Sequence, residues 1–183
     1  MRRINLVLVL LIGISIIYSC SNSPKQMIVN NTLVLNKVMQ QADGSISLHV
    51  EKAECYSDKV NPSSNTAEWN VVVSKPGTFK VWLSSATKDT TNLSYVNSVK
   101  ISLMDKLLDV NPECDKVVLN SDNVSLPYFR ADSYMGSLYI SEPGVYSIQV
   151  ISEKVLSKAA MNNSNSGLDD TKLMSVILTP MTR

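Results

Sequence analysis

Two stretches of this chain share one pattern, and that pattern restricts its possible folds more than any other feature. The first is Ala67–Leu83, AEWNVVVSKPGTFKVWL, and the second is Gly136–Ile151, GSLYISEPGVYSIQVI. In the first, Trp69, Val71 and Val73 alternate with Asn70 and Val72. Lys75-Pro76-Gly77-Thr78 then interrupts, and Phe79, Val81 and Leu83 alternate with Lys80 and Trp82. Successive side chains of a strand point to opposite faces, so each arm lays one apolar row on a core. Proline pre-sets one turn position, and glycine takes a conformation that other residues resist. Each stretch therefore reads as strand, tight turn, strand, with Pro143-Gly144 at the second turn.

The rest of the chain keeps the same habit. Ile28–Leu35 is rich in β-branched and apolar residues, and Asp43-Gly44 gives a turn signal before Ile46–Val50. Asp58–Thr66 is a loop feeding the first hairpin, and Ser84–Ser94 is a polar connection. Val96–Leu103 puts Val99, Ile101 and Leu103 on one face. Val117–Leu119 makes a short strand after Asn111-Pro112, and another begins near Tyr128-Phe129. Ser157–Lys172 is polar, and Leu173–Thr179 closes the chain. The nearest approach to a helix is Ile101–Leu108, short and without caps. Many short strands separated by turn residues predict an all-β protein, a jelly-roll β-sandwich.

The amino terminus reads as an export signal. Met1-Arg2-Arg3 is basic, Leu6–Ile17 is nearly all aliphatic, and small residues follow. That run is too short for a comfortable membrane span. Ile17-Tyr18-Ser19-Cys20 resembles the lipobox of bacterial lipoproteins. The resemblance implies cleavage before Cys20 and acylation of that cysteine, and several acyl chains anchor a protein stably. Ser21 rather than aspartate after the cysteine implies sorting to the outer membrane. No acidic cluster follows Cys20, so a Bacteroides-type surface-export signal is not evident and orientation stays open. The expected organisation is a signal peptide over 1–19, a lipidated tether over 20–27 and one sandwich domain over 28–183. About 155 residues is enough for one proper core.

Charge excludes one class of partner. The chain has 17 Lys+Arg and 16 Asp+Glu; residues 1–19 hold two arginines and no acids, which leaves 15 against 16, a net charge of −1. Nucleic acid needs a basic footprint that this chain lacks. Beyond Cys20, Cys55 and Cys114 either join in a disulfide or stay as two buried thiols. The one histidine, His49, alternates with Leu48 and Val50 and should face solvent, which makes zinc a poor fit.

Three blocks, Trp69–Leu83, Gly136–Val150 and Leu173–Pro180, together resemble the galactose-binding-like jelly roll of carbohydrate-binding module families 6 and 35. The same fold occurs in sandwich domains appended to glycoside hydrolases such as α-L-fucosidases. The resemblance spans roughly residues 46–180, and its residues are core and turn positions, shared by many ligand specificities. In Val50–Tyr56, Glu51 and Glu54 stand where family 6 holds a structural calcium. Ser175 stands where a further aspartate ligand is expected, so the resemblance does not carry the metal over, and no cofactor is expected.

Glycan sites present flat aromatic rings flanked by amide and carboxylate groups. Trp69 belongs to the inward row. Trp82 falls on the other face, beside Lys80 and Ser84, and is the leading ligand candidate. Tyr95, Tyr128 and Tyr134 sit in or beside loops, with Arg130 and Asp132 near them, and these six form the candidate ligand-binding set. Tyr146 lies in a core row, and Tyr139 points the other way. Serine or cysteine catalysis would route through His49, whose neighbours offer no nucleophile or orienting acid. Glu51, Glu54, Glu68, Asp132 and Glu142 are acids on edges and turns, ordinarily solvated rather than paired for glycoside hydrolysis. Asp89-Thr90-Thr91 resembles the O-glycosylation acceptor of Bacteroides-type exported proteins, and also reads as a plain polar loop. The sequence thus points to a lipid-anchored, non-catalytic glycan-binding module of the bacterial cell envelope. The alternative is an envelope lipoprotein whose sandwich contacts a partner protein, and a hydrolase comes third.

Overall fold

The computed structural model of the protein describes residues 37–156 and 170–181. The leader, Cys20, the tether, the strand expected over Ile28–Leu35 and most of Ser157–Lys172 lie outside the described residues. The chain divides into two units, 1–33 and 34–183, and everything below belongs to the second.

Eleven strands are described: β1 Lys37–Met39, β2 Ile46–His49, β3 Glu54–Tyr56, β4 Thr66–Val73, β5 Gly77–Thr87, β6 Val99–Leu103, β7 Lys106–Val110, β8 Lys116–Val118, β9 Phe129–Ile140, β10 Gly144–Ile151 and β11 Thr171–Pro180. They form two sheets. The first runs β1-β4-β10-β6-β7, and the second runs β2-β11-β5-β9-β8. Strands β1 and β3 share one edge of β4, β1 parallel at Asn70–Val72 and β3 antiparallel at Thr66–Glu68. The fold is the all-β sandwich that the alternation predicts.

The expected inward rows meet between the sheets. Trp69, Val71 and Val73 of β4 oppose Phe79, Val81 and Leu83 of β5, with Ile101, Leu138, Ile148, Val150, Val176 and Leu178 filling the space between. Each such side chain contributes roughly 1.5–3 kcal/mol by leaving water. Trp69 is fully buried, and its indole N–H donates to the His49 carbonyl at 2.9 Å, which satisfies the ring's one polar atom.

Two expectations are corrected. The strand–turn–strand blocks are not hairpins, because β4 and β5 lie in opposite sheets, as do β9 and β10. Each Pro-Gly turn is a corner that carries the chain across the sandwich. The two blocks stack on each other instead: β4 pairs with β10 (Trp69 opposite Ile148), and β5 pairs with β9 (Phe79 opposite Leu138). The segment Ile101–Leu108 has no helical character. It is a true hairpin, in which Leu103 pairs with Lys106 and Met104 turns the corner at φ 55°.

Cys55 and Cys114 are both reduced and not joined to each other. The thiol of Cys55 donates to the Val50 carbonyl at 3.9 Å.

Candidate functional site

The outer face of the second sheet gathers the polar and aromatic side chains that strand alternation sends away from the core. Trp82 of β5 stands directly across from Tyr134 of β9, and their rings lie 5.2 Å apart between centroids at 54°. Trp82 is half-buried, whereas Tyr134 is 42% exposed. One step along the same face, Ser84 pairs with Asp132, and Ser84 Oγ donates to Asp132 Oδ1 at 2.7 Å. Arg130 donates to the other carboxylate oxygen of Asp132 at 3.0 Å. Tyr128 precedes the strand, with the ammonium groups of Lys172 and Lys88 at 5.0 and 5.4 Å from its ring centre.

Two irregularities set this arrangement. Opposite Val81 and Trp82, β9 passes from Gly136 to Tyr134, so Met135 is an extra residue. A one-residue change of register moves every later side chain to the other face. The bulge is what lets Leu138 and Ile140 point inward while Tyr134 and Asp132 point outward. Gly136 sits in it at φ 119°, and a Cβ there would lie 3.2 Å from Leu108. On the other side of β5, β11 passes from Leu173 to Ser175, with Met174 extra. Both neighbours of β5 are therefore bulged beside Trp82–Ser84.

Beside the ring pair, the same face opens into a groove of about 730 Å³. Its lining is mixed: Ser47 and His49 from β2, Ser175 from β11 and Ser84 from β5 stand beside Val50, Leu156, Leu173 and Met174. Ile177, also on the groove wall, lies directly across from Trp82, so groove and rings are continuous. Lys154, Lys172 and Asn123 reach the groove from its rim.

Five of the six expected ligand residues thus share one face: Trp82, Tyr134, Arg130, Asp132 and Tyr128. Tyr95 stands apart. Its ring packs on the core and its hydroxyl bonds the Ser85 hydroxyl at 2.9 Å, on the inward side of β5. Burial pushes its phenol well above the ordinary value. The groove residues Ser84, Ser175, Lys154 and Lys172 were not among the expected set. Alternation already sets Ser84 on the face of Trp82; it sets Ser175 there too when counted from Ile177, but the bulge at Met174 hides the phase of β11.

Other chemistry finds little support in the geometry. Cys114 lines a smaller cavity of about 360 Å³ between loops. Burial, then the Asp89 and Asp115 carboxylates, pushes its thiol up, away from a nucleophilic thiolate. Glu51 and Glu54 are both exposed, and among the described residues no three metal-binding side chains cluster. The Asp89 carboxylate accepts from the Thr91 hydroxyl at 2.6 Å and the Thr91 N–H at 2.8 Å, which closes the Asp89-Thr90-Thr91 loop on itself.

No protein-family model matches the chain, and no curated protein matches it in sequence. Among solved structures it superposes on the α-L-fucosidase of Vibrio sp. strain EJY3 with a TM-score of 0.61 at 20% identity, over 78% of this chain and 24% of the enzyme. The chain thus spans about a quarter of that enzyme's length. Looser superpositions are found with a Podospora anserina GH26-CBM35 β-(1,4)-mannanase, with a TM-score of 0.46 at 12% identity over 77% of this chain and 28% of that one. The insecticidal crystal protein Cry2Aa gives a TM-score of 0.45 at 12% identity, over 79% and 22%. The likeness of fold rests on the fucosidase, and at this identity it is a likeness of fold alone.

Proposed function

We propose that this protein is a non-catalytic glycan-binding module, tied to the bacterial outer membrane by lipid at Cys20. The observation that carries the reading is the Trp82–Tyr134 pair on an outward sheet face, adjoining a groove lined in part by hydroxyl groups. An aromatic ring offers the apolar face of a sugar a flat partner, and Ser47 and Ser175 offer hydrogen bonds to its hydroxyls. The shared fold with part of an α-L-fucosidase supports the same reading, since this chain matches only a fraction of a carbohydrate-active enzyme.

The test is a glycan array probed with the full chain in a sugar-free detergent, beside a Trp82→Ala variant of checked thermal stability. Removing a central aromatic anchor costs about 2 kcal/mol, or about 30-fold in affinity. Binding that survives Trp82→Ala unchanged, or a folded protein that binds no glycan, would defeat the proposal.

A further inference from the structure

The charges around the groove are unbalanced. Lys172 lies on its wall, held over the ring of Tyr128 at 5.0 Å, and Lys154 approaches from beyond β10. Neither ammonium has a carboxylate within ion-pair distance among the described residues, whereas Lys88 is paired with Asp170 at 3.4 Å and Arg130 with Asp132 at 3.0 Å. Among the described residues, the one acid on the groove wall is Glu51. Among the described residues, two cations without an ion-pair partner thus flank a groove lined in part by hydroxyl groups. An ammonium group can donate to a neutral sugar's hydroxyl, but it meets no opposite charge there. A negatively charged sugar gains a charge-assisted contact at each.

We infer that the groove takes an anionic sugar chain, one carrying carboxylate or sulfate groups, with Lys154 and Lys172 as its anion contacts and Tyr128 as the residue that positions Lys172. This rests on the glycan-binding reading and names the ligand class for the same site. The ring of Tyr128 fixes the flexible lysine stem by attraction of its π face for the ammonium, so less freedom is lost when the anion arrives. The lysines supply the contact directly, with no bridging cation.

The experiment is calorimetry on the full chain in sugar-free detergent, with a chelator present, using matched ligand pairs. One pair is an oligogalacturonate and its carboxyl-reduced counterpart; the other is a sulfated chondroitin oligosaccharide and its desulfated form. The pairs tell which anion is preferred. The charged member of at least one pair should bind about tenfold tighter, about 1.4 kcal/mol. That preference should shrink as salt shortens the screening length to about 3 Å at molar strength. Lys172→Gln and Lys154→Gln should each lower the preference, read as the ratio of the two members' affinities, by about threefold. Tyr128→Leu should weaken the preference and Tyr128→Phe, which keeps the ring under Lys172, should restore it, which a merely structural role for the ring would not produce. Equal affinity within both pairs, or a preference that both lysine variants keep, overturns the inference while glycan binding through Trp82 stands. Failure of every charged and neutral glycan on the array overturns both.

Discussion

The ion pair beneath the ring pair gives the sharpest quantitative expectation. The side chains of Arg130 and Asp132 are 21% and 9% exposed and meet at 3.0 Å. Arg130 Nε is itself buried without a hydrogen-bond partner among the described residues, so within the protein Asp132 is the one acid paired with that guanidinium among them. Losing one partner of a fully buried pair costs about 3–5 kcal/mol, because the other charge is stranded. Here Asp132→Asn should cost less, about 2 kcal/mol. The one-fifth of Arg130 that stays wet is still solvated, and the new amide oxygen still accepts from Ser84. Arg130→Met strands the carboxylate instead and should cost a similar amount. The double variant removes both charges and keeps the Ser84 bond, so it should be more stable than the sum of the singles implies, with a coupling of about 1.5 kcal/mol. Urea unfolding of the four proteins, with the denaturant slope unchanged, reads this directly. An Asp132→Asn protein within about 0.5 kcal/mol of the parent, or strictly additive losses, would refute the claim that this pair is held out of water.

Two further outcomes test the frame and its interior. Gly136→Ala should lower stability by about 2 kcal/mol in the same assay, since φ is 119° and the new Cβ would press Leu108 at 3.2 Å; an unchanged midpoint would mean that the bulge is not pinned there. Burial, opposed by the bond to Ser85 and aided by Glu153, raises the phenol of Tyr95 above its ordinary value of 10.0. Its contribution to stability is therefore full below that pH and lost as the pH climbs past it, because the unfolded chain ionises first. Tyr95→Phe should cost about 1 kcal/mol near neutrality and flatten the alkaline loss, whose limiting slope is about 1.4 kcal/mol per pH unit. Parallel alkaline profiles for the two proteins would count against a buried phenol.

Alternation made the core legible and left the pairing hidden. It reports which face of a strand is apolar, and Trp69, Val71, Phe79, Val81, Ile148 and Val150 are all where it sends them. It is silent on which sheet a strand joins, since a hairpin and a corner both show two alternating arms around a short turn. The turn chemistry held the missing information. Two-residue hairpins favour Asn-Gly or Asp-Gly, whose twist matches the strands, whereas Pro-Gly suits turns that splay them. Pro76-Gly77 and Pro143-Gly144 therefore argued for corners. The converse holds at Met104, which turns a genuine hairpin at φ 55° although it is neither glycine nor asparagine, so Asp105 alone marks the turn in the sequence.

The candidate site follows from the same logic. Trp82 and Tyr134 are 52 positions apart in sequence, and nothing local announces that they touch. Their contact is a consequence of stacking the two blocks, which sets β5 against β9, and of one extra residue, Met135. Were β9 regular there, with Met135 paired opposite Trp82, the alternation that buries Leu138 and Ile140 would carry Tyr134 and Asp132 into the core and leave Trp82 without its neighbour. Met174 does the same for β11, bringing Ser175 outward beside Ser84. A bulge costs ladder hydrogen bonds and local regularity. Two of them flanking one strand, at the level where the aromatic and hydroxyl groups converge, mark this face as the place where the sandwich departs from the simplest packing, and the ring pair and groove are what that departure creates.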